Sequence, residues 1–240
     1  MLRTSWSCWC RACVVAGSLA ACGGGAAERP DPTTLKNSAV ANAPAPAPAD
    51  AATVLLLGTS ITAGYGLDPA ESWATLLQAK VDSAGLPFHV VNAGVSGETS
   101  AGALRRTEWL FGQGPIRVLL VETGANDGLR GQPVDSLRAN LEAIITRAEA
   151  LIPKPVIIVA GMEAPPNLGR QYAQRFRAVY PEVAKAHGIG YLPFLLDGVA
   201  GVDKLNQADG IHPNALGSRR VAENVWRILA PVLRKESAFP

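Results

Sequence analysis

Beyond position 22 the 240-residue chain has no cysteine; its four, Cys8, Cys10, Cys13 and Cys22, all lie at the start. The remainder can carry neither a disulfide framework nor a thiolate metal site. Histidine is nearly as scarce, with only His89, His187 and His212, so chemistry that needs an imidazole has three candidates. An excess of one charge sign is also missing. Formal net charge is +2 and falls to 0 once residues 1–21, which hold Arg3 and Arg11 but no acid, are set aside. A neutral chain without basic runs gives nucleic acid no electrostatic footing. The apolar stretch over 12–21 is too short to span a bilayer.

That stretch nevertheless has a pattern. Arg3 and Arg11 supply a positive leader, and Leu19-Ala20-Ala21-Cys22 places small residues before a cysteine. Residues 1–21 resemble a bacterial lipoprotein signal peptide, which implies export and lipidation of Cys22, with membrane attachment through that anchor alone. An ordinary cleaved signal peptide is the alternative. Residues 22–52, rich in Gly, Ala and Pro, have too little large apolar surface to offset ordering entropy and read as a tether. Residues 53–236 are one domain by length, enough to bury roughly 70% of the unfolded surface, and a monomer is expected.

Residues 53–57 (TVLLL) form a continuous apolar run of strand length that stops at Gly58-Thr59-Ser60. Helical spacing follows over 69–85, where Trp73, Leu76, Leu77 and Val81 share a face. Strands are predicted at 88–92, 116–122, 155–162 and 189–194, and further helices at 99–111, 133–151, 171–187 and 214–234. Leu104, Trp109 and Leu110 supply the apolar contacts of the second helix, and Trp73 and Trp109 read as core. Strand and helix alternate five times. This predicts an α/β fold, a three-layer α/β/α sandwich around a five-stranded parallel sheet of flavodoxin-like type. All glycine-marked strand ends then fall on one edge, where open α/β sheets place ligands, and Ser60, Gly94 and Asn126 converge there.

A serine hydroxyl needs a base. Ala208-Asp209-Gly210-Ile211-His212-Pro213-Asn214 offers one, because Asp and His three apart in a turn can put the carboxylate beside Nδ1 and leave Nε2 free. Taken alone, such a pair is more commonly a cap or a surface contact. Ser60 could equally be an N-cap, Gly94 a strand-exit glycine and Asn126 part of an Asx turn. His89 and His187 read as structural, and Asp127 as a residue that orients loops.

Four blocks occur together: Gly58-Thr59-Ser60-Ile61-Thr62-Ala63-Gly64-Tyr65, Asn92-Ala93-Gly94-Val95-Ser96-Gly97-Glu98-Thr99, Gly124-Ala125-Asn126-Asp127-Gly128-Leu129-Arg130-Gly131 and Asp209-Gly210-Ile211-His212-Pro213-Asn214. In order and spacing they resemble the SGNH hydrolases, also called GDSL esterases/lipases, and within them the acyl thioesterase I, lysophospholipase and arylesterase group. The resemblance implies Ser60 as nucleophile, His212 as general base and acid, and Asp209 as its orienting partner. It also implies an oxyanion hole from the N–H groups of Ser60 and Gly94 with the Asn126 amide, and no metal or cofactor. The substrate expected is a small ester or thioester held in an acyl cleft lined by residues 65–68, 95–98 and 163–169, with Val95, Pro165, Pro166 and Leu168 as its apolar wall. One departure is visible: the family motif carries aspartate where this chain has Thr59, so turn hydrogen bonding is expected to change while activity persists. The rival readings are a carbohydrate acetylesterase and a non-catalytic, membrane-tethered binding lipoprotein.

Overall fold

The computed structural model describes residues 51–238. The expected signal peptide, Cys22 and nearly all of the expected tether lie outside the described residues. Strands β1 (Ala52–Gly58), β2 (Phe88–Gly94), β3 (Ile116–Val121), β4 (Val156–Ala160) and β5 (Gly190–Leu192) form one sheet in the order β2-β1-β3-β4-β5, with every pairing parallel. That is the flavodoxin-like order, in which the winding direction reverses between β1 and β3. Val54 to Leu57 are all buried. A central strand covered on both faces has no polar side to alternate with, which is why this run reads as unbroken apolar sequence.

The helices are α1 (Ser60–Ala63), α2 (Trp73–Ser83), α3 (Ser100–Phe111), α4 (Ala125–Leu129), α5 (Val134–Glu149), α6 (Arg170–His187) and α7 (Ala215–Ser237). α2 packs against α7, and α5 packs against both α3 and α6; the right-handed rule for parallel crossovers assigns the two groups to opposite faces of the sheet. The stripe Leu137, Leu141, Ile144 and Ile145 is fully buried, as its spacing requires. Among the described residues no helix is long and apolar enough to cross a membrane.

Several boundaries differ from those expected. The helical stretch at 69–85 is split: Pro69–Glu71 is a 3-10 turn, and Ser72 then caps α2, its Oγ accepting from the Thr75 N–H at 3.2 Å. The break after β3 holds the short helix α4, entered through Gly124 at φ +101°. β5 is shorter than 189–194 because the register slips after Leu192: the Gly161 N–H still donates to the Leu192 carbonyl at 2.8 Å, but the Gly161 carbonyl accepts from the Leu195 N–H at 3.0 Å. Trp109 is not core and is 66% exposed. On α3 the buried stripe is Ala103, Thr107, Leu110 and Phe111, and a residue two past Thr107 points to the opposite side. His89 lies within β2, and His187 at the end of α6 pairs with Glu149 at 3.0 Å.

Candidate active site

The sheet register sets Gly58 at the end of β1 beside Gly94 of β2, and Leu57 beside Val121 of β3. Whatever follows β1 and β3 is therefore held at one edge, at the winding reversal. Ser60 opens α1 immediately after β1, and its Oγ lies 2.8 Å from His212 Nε2 although 152 residues separate them in sequence.

The Asp209–His212 turn is built by its own carboxylate. Asp209 Oδ1 accepts from the backbone N–H groups of Ile211 and His212 at 2.9 and 3.0 Å, while Oδ2 lies 2.7 Å from His212 Nδ1. Gly210 permits the reversal at φ +68°. Desolvation alone would raise the Asp209 carboxyl, but the hydrogen bonds from His212 and Ile211 outweigh it and hold the group at about 2. An ionised carboxylate only accepts, so the ring proton belongs on Nδ1 and the lone pair on Nε2 faces Ser60. This is the arrangement a general base requires.

Two residues not singled out from sequence brace this pair. The Tyr65 ring packs on the His212 imidazole with centroids 4.7 Å apart. Gln207 donates from Nε2 to the carbonyls of Tyr65 (2.7 Å) and Pro213 (3.0 Å), and its N–H donates to the His212 carbonyl (2.8 Å). It thereby ties the loop after Ser60 to the loop bearing His212. Asn214 caps α7 by accepting from Leu216 and Gly217, which fixes where the last helix starts.

Asn126 sits on α4 and donates from Nδ2 to the Glu98 carbonyl at 2.9 Å, leaving its second amide hydrogen available. Asp127 turns away from the cleft and accepts from Ser100 N–H at 2.8 Å and Ser100 Oγ at 2.5 Å, so it does fix the loop before α3. The Gly94 expectation needs correcting. Its N–H donates to Asn92 Oδ1 at 2.9 Å, and a Cβ there would run into the Ala63 backbone and stand 2.8 Å from the Thr59 carbonyl oxygen. Gly94 is small because α1 packs on it, not to admit a substrate. The glycine in the cleft is Gly97, at φ +76°. The N–H groups of Ser60 and Gly97 bond to no other described residue.

A cleft of about 240 Å³ opens over Ser60 and His212, lined also by Ile61, Tyr65, Gly97, Asn126, Leu129 and Ile211. The expected wall of Val95, Pro165, Pro166 and Leu168 is not part of it. Segments 65–68 and 95–98 reach the cleft through Tyr65, Ser96 and Gly97, whereas 163–169 does not. The missed signal lay inside the motifs: Ile61, Leu129 and Ile211 are apolar members of the blocks that carry Ser60, Asn126 and His212. Among the described residues no three His, Cys, Asp or Glu side chains group so as to hold a metal ion.

Known proteins are similar to this chain over most of its described residues. The model of the GDSL-like Lipase/Acylhydrolase family matches residues 56–220. The chain is 41% identical over 183 residues to esterase TesA of Pseudomonas aeruginosa, covering 76% of this chain and 90% of that protein. It is 36% identical over 187 residues to thioesterase 1/protease 1/lysophospholipase L1 of Escherichia coli, covering 78% and 88%. The psychrotrophic esterase EstA from Pseudoalteromonas sp., solved inhibited by monoethylphosphonate, superposes with a TM-score of 0.72 at 34% identity, covering 76% of this chain and 98% of that one. The chain belongs to the GDSL-like lipase/acylhydrolase family.

Proposed function

We propose that the chain is a serine hydrolase that cleaves carboxylic esters or thioesters through an acyl-Ser60 intermediate. The observation that carries this reading is the continuous chain from Asp209 Oδ2 to His212 Nδ1 at 2.7 Å and from His212 Nε2 to Ser60 Oγ at 2.8 Å. Ser60 Oγ attacks the acyl carbon as its proton passes to Nε2, and Asp209 stabilises the imidazolium that forms. Charge then collects on the former carbonyl oxygen. Ser60 N–H, Gly97 N–H and the free hydrogen of Asn126 Nδ2 are its donors, with Gly97 taking the part first expected of Gly94. Nε2 returns the proton to the leaving alkoxide or thiolate, and a water activated by the same nitrogen later releases the acid.

Substrate class follows from the walls. Ile61, Tyr65, Leu129 and Ile211 offer an acyl chain apolar contact, and about 240 Å³ falls below the roughly 300–1,000 Å³ of common ligand pockets. Short to medium acyl esters fit this better than sugar acetates. The relatives' names, an esterase and a thioesterase/lysophospholipase, support the same bond class. Export and a lipid anchor at Cys22 are part of the proposal and rest on residues 1–22; Cys22→Ser would abolish metabolic palmitate labelling. Turnover of p-nitrophenyl esters of graded chain length tests the function. Activity rising from acetate to butyrate or hexanoate is expected, and activity confined to acetate would contradict it.

A further inference from the structure

The mechanism above uses no carboxyl except Asp209, yet a second one lies directly beneath the nucleophile. Glu122 follows β3 and is 0% exposed. Its N–H completes the ladder with the Leu57 carbonyl at 2.8 Å, and its side chain turns back under α1. There Oε2 accepts from the Thr59 N–H at 2.7 Å and from Thr62 Oγ1 at 2.7 Å, while Oε1 accepts from Thr59 Oγ1 at 2.8 Å. Among the described residues no Lys, Arg or His forms an ion pair with it. Thr59 and Thr62 stand immediately before and two after Ser60. Gly58 leaves them room, since a Cβ there would lie 2.8 Å from Glu122 Oε2 and collide with Thr62.

A buried carboxyl without a cation is costly, and ordinary packing of an elbow does not require one. What it supplies here is geometry: three donors from both sides of Ser60 converge on one rigid acceptor at the end of the neighbouring strand. We propose that Glu122, through Thr59 and Thr62, is a positioning residue that fixes the Ser60 hydroxyl in line with His212 Nε2 and the acyl carbon. Burial, the dominant influence on the group, raises the Glu122 carboxyl above its ordinary value, and the hydrogen bonds from Thr59 and Thr62, which favour its charged form, oppose that rise. Thr59 has a specific part in this. Where the family motif has aspartate, a second carboxyl could face Oε1 only with one of the pair protonated; the Thr59 hydroxyl donates without that condition. The inference rests on Ser60 being the nucleophile.

The test compares Thr59→Ser, Thr59→Val and Glu122→Gln in the full chain. Each is measured for Tm, for kcat and KM on p-nitrophenyl butyrate, and for the second-order rate of labelling by a fluorophosphonate. Displacing a reacting group by about an ångström can cost about 100-fold, so Glu122→Gln is expected to lower kcat by about that factor and Thr59→Val by about 10-fold. KM should stay within about twofold, labelling should slow in parallel with kcat, and Thr59→Ser should restore both. If Glu122→Gln does not fold, Thr59→Val decides. Folded Thr59→Val with wild-type kcat and labelling rate overturns the proposal. Wild type that resists the probe altogether removes the nucleophile itself and this role with it, a failure distinguishable from the first.

Discussion

The N–H of Gly94 donates to the side chain of Asn92 two residues earlier, at 2.9 Å, and Asn92 Nδ2 in turn donates to the Thr62 carbonyl at 2.8 Å. The end of β2 is thereby stitched to the helix that carries Ser60. Gly94 belongs to the support of the elbow and Gly97 to the cleft, and the two glycines answer differently to a methyl group. Gly94→Ala forces its Cβ into the fixed backbone of Ala63 and Thr59, so about 1–3 kcal/mol of stability is lost with a fall in kcat. Gly97→Ala meets nothing nearer than Arg130 Nη2 at 3.7 Å and loses about 1–2 kcal/mol from its positive φ alone. Thermal melts and kcat of the two variants check this; wild-type behaviour of Gly94→Ala would contradict it.

Asp209 should not set any part of the pH profile near neutrality. Its carboxyl is held at about 2 in the fold against about 3.9 in an unfolded chain. A depressed acid contributes stability that is present above about pH 4 and disappears as pH falls toward the folded value. The group is well exposed, so that contribution is small. Asp209→Asn is expected to lower kcat by about 100- to 10,000-fold, because the ring tautomer is lost, by the same factor at every pH above about 5. A variant whose deficit vanishes at higher pH would show that the carboxylate acts by charge alone.

Asn126 donates one amide hydrogen to the Glu98 carbonyl, which leaves the other available to a reacting oxygen. Asn126→Ala is expected to lower kcat by about 100- to 1,000-fold with little change in KM, since the bond strengthens only in the transition state. A rise in KM at constant kcat would mean that Asn126 binds the ground state instead.

Leu129 and Ile211 line the cleft, whereas Pro165, Pro166 and Leu168 do not. Leu129→Ala and Ile211→Ala should weaken kcat/KM for hexanoate esters more than for acetate. Each methylene that loses its apolar contact costs about 0.8 kcal/mol, or roughly fourfold. Leu168→Ala should leave the ratio unchanged. The chain-length panel on the three variants decides it.

Much of this was legible in sequence because its physics is local. The unbroken run 54–57 could only be a central strand, and Asp209 and His212 sit close enough in sequence for one turn to join them. Ser60, Gly94 and Asn126 each stand at or just past the end of a strand, so parallel topology alone predicts that they share an edge. What escaped depends on side-chain direction. Glu122 reads as the last residue of an apolar strand, and nothing local reveals that it turns under α1. Gly94 and Gly97 are three apart in one block, and only the Asn92 hydrogen bond tells which of them faces the cleft. Gln207 lies 142 residues from the Tyr65 carbonyl it holds, a pairing no spacing rule anticipates. Trp109 reads as core because a tryptophan in a helical run looks apolar-facing until the stripe beside it is known, and it is exposed.

The nucleophile is tested most directly by intact-mass and peptide mass spectrometry after treatment with a fluorophosphonate. One adduct per chain is expected, located on the peptide containing Ser60, absent in Ser60→Ala and strongly slowed in His212→Ala. An adduct of equal yield in Ser60→Ala, or a wild type that takes up no label, would contradict it.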